Sequence, residues 1–252
     1  MKKIIFIMST ILILAFTACN RDVSPENYEI YHEPGELVAT NHYDNDYYPP
    51  DEPPIDDTPL SIESQDAHQI HTDVFWDMAS GERHGEITHI VIHFISNVIA
   101  NPANPYVIED IASIFRTYGV SAHYIIDRDG TIHLAVPEDR VAFHAGAGSL
   151  ADFPAYENNL NQHSIGIELL GMGTQEEMSL YLTAYEFQSL DPSFIGFTEA
   201  QYDALNWLLN GILARHPGIQ PNRTHIIGHS EYSPGKVDPG MLFEWERLDF
   251  MR

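Results

Sequence analysis

The chain has 252 residues, 44% of them hydrophobic, which is enough apolar material for one packed domain plus extra segments and excludes a wholly disordered protein. Twelve Lys and Arg face 37 Asp and Glu, a formal net charge of −25. That balance repels nucleic acid phosphates and anionic lipid headgroups, so nucleic acid is not expected as a partner.

The first residues read as a targeting segment, with basic Lys2 and Lys3 ahead of a nearly all-apolar run from Ile4 to Phe16 and then Thr17-Ala18-Cys19. The run is shorter than the roughly 20 apolar residues a spanning helix needs and suits a secretory signal peptide over residues 1–18. Cys19 is the only cysteine in the chain. It stands where a bacterial lipoprotein signal places the residue that is lipidated after cleavage, although Phe16 departs from the usual leucine. The plainer alternative is a simple signal peptide with an incidental cysteine. The lipoprotein reading expects an exported protein anchored by lipid to a bacterial membrane, at its periplasmic face or at the cell surface. One cysteine also rules out an intramolecular disulfide.

Residues 19–66 carry prolines at 25, 34, 49, 50, 53, 54 and 59 among scattered carboxylates. Such a composition cannot bury enough apolar area to offset its ordering entropy, and it reads as an acidic, extended tether. His68 and His71 near its end have spacing that a metal pair could use, but a loop edge is the simpler reading.

The folded part is expected over 67–252. Ile87 to Ile95 is an almost continuous β-branched run that suits a strand buried on both faces. Apolar positions at 107, 108, 111, 114, 115 and 118 predict a helix closed by Gly119 in a left-handed cap. Ser121–Asp127 and Thr131–Val136 flank Asp129-Gly130 and predict a hairpin. Ser164–Leu170 predicts another strand. Thr198-Glu-Ala-Gln201 predicts a capping box opening a helix that Pro217-Gly218 ends, and Thr224–Gly228 predicts a last strand. Strands mixed with helices imply an α/β sheet covered by helices.

Three features place polar groups in or at the ends of apolar strands. His93 sits within Val-Ile-His-Phe, where a histidine alone is more often a satisfied core residue than a ligand. His89 shares its face by the two-residue period and reads as structural. His229 directly follows the Ile226-Ile227 strand, and the Pro-Gly turn after it could return Asp238 toward the imidazole. Those three would form a two-histidine, one-carboxylate set of the kind catalytic zinc sites use. Lys236 lies two residues before Asp238, and the segment could equally be a surface turn with a solvated lysine. Glu168 stands mid-strand in Ser164-Ile-Gly-Ile-Glu168, where an unpaired carboxylate is costly, so a cation partner or a proton-carrying role is expected. His144-Ala-Gly146 suits a groove where a ligand lies close to backbone.

Taken in order, Ile90-Val-Ile-His93, Val120 through Gly130, Phe143-His-Ala-Gly146, Ser164 through Glu168, and Gly228-His229 through Gly240 resemble the N-acetylmuramoyl-L-alanine amidase type 2 family, which includes the peptidoglycan recognition proteins. The resemblance runs over roughly residues 75 to 247 and implies an α/β fold with a central mixed β-sheet flanked by helices and a zinc site at the strand ends. It implies one Zn2+ held by His93, His229 and Asp238, with Glu168 and Lys236 as catalytic residues and His144 lining the substrate groove. The implied reaction is hydrolysis of the amide joining N-acetylmuramic acid to L-alanine in peptidoglycan or muropeptides, by a chain taken as a monomer. The alternatives are a non-catalytic peptidoglycan-binding module and a zinc peptidase acting within the stem peptide. Two departures stand out. Phe94 replaces a second His or Cys often found after the first ligand, and Gly171–Ile195 looks like an enlarged loop bordering the groove.

Overall fold

The computed structural model describes residues 68–72, 74, 75 and 77–252. The expected signal peptide, the tether and Cys19 lie outside these residues. Six strands form a mixed sheet: β1 (Ile70–His71), β3 (His89–Ile95), β4 (Tyr124–Ile126), β5 (Ile132–Leu134), β7 (Ser164–Leu170) and β8 (Ile226–Gly228), in the order β1-β5-β4-β7-β3-β8. All neighbouring strands run parallel except the β4–β5 hairpin. Two further strands, β2 (Ser80–Glu82) and β6 (Arg140–Ala142), pair antiparallel as a separate ribbon. Among the described residues no helix is long and apolar enough to cross a membrane.

The two central strands are apolar almost throughout because both of their faces are covered. Ile90, Ile92, Ile165, Ile167 and Leu169 point to one face, where they pack with Tyr202, Leu205, Leu208, Leu209 and Ile212 of helix α3 (Glu199–Arg215). The opposite face is shared by two smaller clusters. One joins Ile125 and Leu170 to Ile111, Ala112 and Phe115 of helix α1 (Ile108–Tyr118). The other joins Val91 and Ile227 to Ala145, Leu160 and Tyr232. Side chains alternate along a strand, so His93 follows Val91 onto this second face and Glu168 precedes Leu170 there.

The local signals act as their chemistry requires. Gly119 closes α1 at φ 62°, its N–H bonded to the Phe115 carbonyl. Thr198 and Gln201 form the capping box of α3. Gln201, fully buried, also donates to the carbonyls of Ile126 and Leu170, tying that helix to the ends of β4 and β7. Four strands, β3, β4, β5 and β8, are shorter than expected. Thr224 and His225 are withdrawn from β8 because both of their N–H groups bond to the Asn222 side chain. Ser121 is withdrawn from β4 because its N–H bonds to Phe143 and its hydroxyl to Ala79. The run at Ile87 starts its ladder only at His89.

The segment from Gly171 to Ile195 is built rather than irregular. It contains two 3-10 turns and a five-residue helix α2 (Ala184–Gln188) opened by a Thr183–Glu186 capping box. Met172, Met178, Phe187 and Leu190 bury into the cluster around α1. At its ends, Arg128 donates to the carbonyls of Leu170, Ser193 and Gly196. His71, expected at a loop edge, lies in β1 in register with His133.

One half-buried carboxylate ties α3 to the sheet. Glu138 accepts from Tyr124 at 2.7 Å, from Arg215 at 2.7 and 3.1 Å, and from His216 at 2.7 Å. Burial opposes its ionisation, but those bonds outweigh it and hold the carboxyl down at about 2, against an ordinary 4.5. The folded value lies below the unfolded one, so this stabilisation is complete above pH 4.5 and is lost as pH falls toward 2. Glu138→Gln is therefore expected to cost about 2–3 kcal/mol at pH 7, and to flatten the fall in stability over that acid range. Urea titrations at a series of pH values read both effects.

Candidate metal centre

Parallel pairing brings the candidate residues together. His93 is in register with Glu168 on β7, and its neighbour Ile92 is in register with Gly228 on β8. His229 follows Gly228 as the first residue of the short helix α4 (His229–Tyr232), at the same end of the sheet. The chain then turns through Pro234-Gly235 and returns, with Ser230 N–H bonded to the Asp238 carbonyl at 3.0 Å. Gly228 is required here, since a Cβ on it would stand 2.6 Å from Pro239. Beyond Asp238, Met241 N–H donates to Glu177 at 2.7 Å, which pins this loop to the 171–195 segment.

The result is a tight triangle of acceptor atoms. His93 Nδ1 and His229 Nδ1 are 3.1 Å apart, and each lies 2.9 Å from Asp238 Oδ2. All three side chains are secluded, with His93 2% and His229 5% exposed, and the Asp238 side chain 13%. Among the described residues these three form the one His, Cys and carboxylate group that could hold a metal ion. Burial holds His93 neutral, its value lowered to about 4. Neutral imidazoles beside a carboxylate are the ligating protonation states.

The far ring nitrogens show why this set fits a cation. His229 Nε2 lies 3.0 Å from the Ala145 carbonyl, which can only accept, so a neutral ring places its proton on Nε2 and turns a bare lone pair on Nδ1 toward Asp238. His93 Nε2 lies 3.0 Å from His144 Nδ1 and has its own outlet for a proton. With both rings neutral and protonated on Nε2, two lone pairs and a carboxylate oxygen converge with no donor among them. A tetrahedral zinc with bonds of about 2.0–2.1 Å has ligand edges of about 3.3 Å, close to the distances here.

Glu168 and Lys236 border the triangle. Glu168 Oε2 is buried without a hydrogen-bond partner. Burial and then the Asp238 charge push its carboxyl well above the ordinary range, partly countered by Lys236. Lys236 is exposed, and its charge also acts on His93. Phe94 packs into the cluster around α1 and takes no part in the triangle. The ring of His144 lies behind His93 with both nitrogens engaged within the protein. The sequence did not point to Tyr181, whose phenol is raised by burial and by the Asp238 charge, so that the 171–195 segment does border the site. It also did not point to the Ala145 carbonyl or to Asn161, since a main-chain oxygen and an asparagine in a short turn leave no periodic signal.

A mixed α/β sheet carrying a buried two-histidine, one-carboxylate triangle, with the carboxyl of Glu168 beside it, is an architecture able to hold one metal ion. The N-acetylmuramoyl-L-alanine amidase family profile matches residues 83–241, a span that contains every residue just described, and the chain belongs to that family. It is an enzyme of the amidase class. It is 33% identical over 175 residues to the 1,6-anhydro-N-acetylmuramyl-L-alanine amidase AmpD of Haemophilus influenzae, covering 64% of this chain and 80% of that one. Against the protein of the same name from Citrobacter freundii the identity is 36% over 130 residues, covering 51% of this chain and 55%, about half, of the relative. A solved selenomethionyl AmpD structure is 30% identical, with a TM-score of 0.47 over 68% of this chain and 88% of that one.

Proposed function

We propose that the chain hydrolyses the amide between N-acetylmuramic acid and L-alanine of peptidoglycan or its muropeptides, with one zinc ion held by His93, His229 and Asp238. The observation that carries this reading is the convergence of three bare acceptor atoms within 3.1 Å beside a buried, unpartnered carboxyl. Zinc held there supplies a Lewis acid and a water acidified toward neutral pH. Glu168 takes a proton at its buried carboxyl and passes it to the departing L-alanine nitrogen, a transfer favoured by a carboxyl whose affinity for protons is raised. The Lys236 ammonium faces the charge that develops on the carbonyl oxygen. Closeness to proteins named as 1,6-anhydro-N-acetylmuramyl-L-alanine amidases supports anhydro-muropeptides as substrates.

The N-terminal reading belongs to the same proposal. The basic start, the short apolar run and Cys19 support export and lipid anchoring to a bacterial membrane. A Pro-rich tether over 19–66 then lets a monomeric domain reach adjacent wall.

Incubating the purified chain with muropeptides, with and without a chelator, tests the chemistry by mass analysis. Stem peptides with a free L-alanine amino group are expected, lost with chelator and restored by zinc. Intact substrate despite bound zinc would leave a binding module, and shortened stems still attached to the sugar would indicate a peptidase.

A further inference from the structure

Behind the triangle, one short stretch of chain holds the far side of both histidines. His93 Nε2 meets the side chain of His144, and His229 Nε2 meets the carbonyl of the next residue, Ala145. The two adjacent backbone N–H groups, of His144 and Ala145, both donate to Asn161 Oδ1, at 3.1 and 2.8 Å. The His144 ring is confined from the side, since a Cβ on Gly166 would stand 2.5 Å from it. Its Nε2 lies 3.2 Å from Ser164 Oγ, which is itself 2.7 Å from the Leu160 carbonyl.

This chain has one consistent set of protons. The Leu160 carbonyl can only accept, so the single Ser164 hydroxyl proton points to it. Ser164 Oγ must then accept from His144 Nε2–H. With that proton on Nε2, His144 Nδ1 is bare and accepts from His93 Nε2–H, which leaves His93 Nδ1 bare at the triangle.

We propose that Ser164 and His144 are positioning residues that fix His93 in its metal-binding tautomer, with Asn161 holding the His144–Ala145 step so that it braces both histidine ligands at once. The proposal rests on the zinc reading of the triangle. It assigns His144 to the support of a ligand rather than to the substrate groove. Outer partners of this kind set the ring orientation and basicity of metal-bound histidines. If Ser164 could not accept, the His144 proton would be free to move to Nδ1, and His93 would then carry its own proton on Nδ1, aimed at Asp238 and incompatible with a metal.

The first measurement is nitrogen-15 NMR of the imidazoles in metal-free wild-type protein, which reads the tautomers whether or not zinc binds. His93 protonated on Nε2 is expected, and a proton on its Nδ1 overturns the proposal. The second is zinc affinity by competition with a chelating dye. Ser164→Ala, which touches no ligand, is expected to weaken zinc about 10–100-fold. His144→Asn keeps an acceptor for His93 Nε2–H that needs no help from Ser164. It is expected to stay within a few-fold of wild type, and Ser164→Ala is expected to cost nothing further in that background. A Ser164→Ala protein with wild-type zinc affinity, or an equal loss in both backgrounds, overturns the proposal. A wild-type protein that binds no zinc instead sinks the reading of the triangle, while the metal-free spectra still decide on the brace.

Discussion

Glu168→Gln is expected to lower kcat by about 10²–10⁴-fold, the usual contribution of one general acid–base group, and to leave zinc bound with affinity within a few-fold of wild type. The register explains the selectivity. Glu168 stands directly across from His93 on the neighbouring strand, yet it contributes no atom to the triangle. Its Oε2 is buried without a partner, so the amide replaces no existing hydrogen bond and the fold loses little. What disappears is the carboxyl that takes and returns a proton beside the triangle. Burial and Asp238 raise its proton affinity, so the wild-type rate should show a limb governed by a carboxyl titrating above the ordinary 4.5. That limb should be absent from the residual activity of the variant. Steady-state rates against pH, with metal content measured on the same samples, test this. Near-normal turnover by a zinc-loaded variant would remove Glu168 from the mechanism.

The parts of this site that were legible in the sequence are those where a side chain contradicts its surroundings. A carboxylate inside Ser-Ile-Gly-Ile-Glu168-Leu-Leu and a histidine inside Val-Ile-His93-Phe stand out because apolar strands exclude such groups unless something binds them. The capping box at Thr198 was equally plain, because an apolar stripe follows it. A second capping box, Thr183-x-x-Glu186, was missed because the helix it opens is five residues long and has no stripe to announce it. The pairing of His93 with Glu168 is a register, fixed by how whole strands meet rather than by either strand's own pattern. The outer support of the ligands was illegible for a related reason. A main-chain oxygen at Ala145 and an Asn161 side chain reaching back to residues 144 and 145 acquire meaning only when the chain is folded.

Asp238→Asn should separate two properties that wild-type protein combines. With zinc absent and both rings neutral and protonated on Nε2, the wild-type triangle sets a carboxylate oxygen 2.9 Å from two imidazole nitrogens that carry lone pairs toward it. Burial keeps His93 from relieving this by protonation until pH falls to about 4. An asparagine amide in the same place presents two N–H donors to those two lone pairs, turning three mutually repelling acceptors into two hydrogen bonds. The metal-free variant is therefore expected to melt no lower than metal-free wild type, even though a buried charged side chain has been changed. Added zinc should then reverse the order. Wild type gains RT ln(1 + [zinc]/Kd), about 4 kcal/mol when free zinc exceeds Kd by a thousandfold, whereas the variant has lost its anionic ligand and gains far less. Thermal melts of both proteins, with chelator and with saturating zinc, give the four values needed. A variant less stable than wild type in chelator would mean that the triangle is already satisfied without a metal, and the case for zinc at His93, His229 and Asp238 would fall with it.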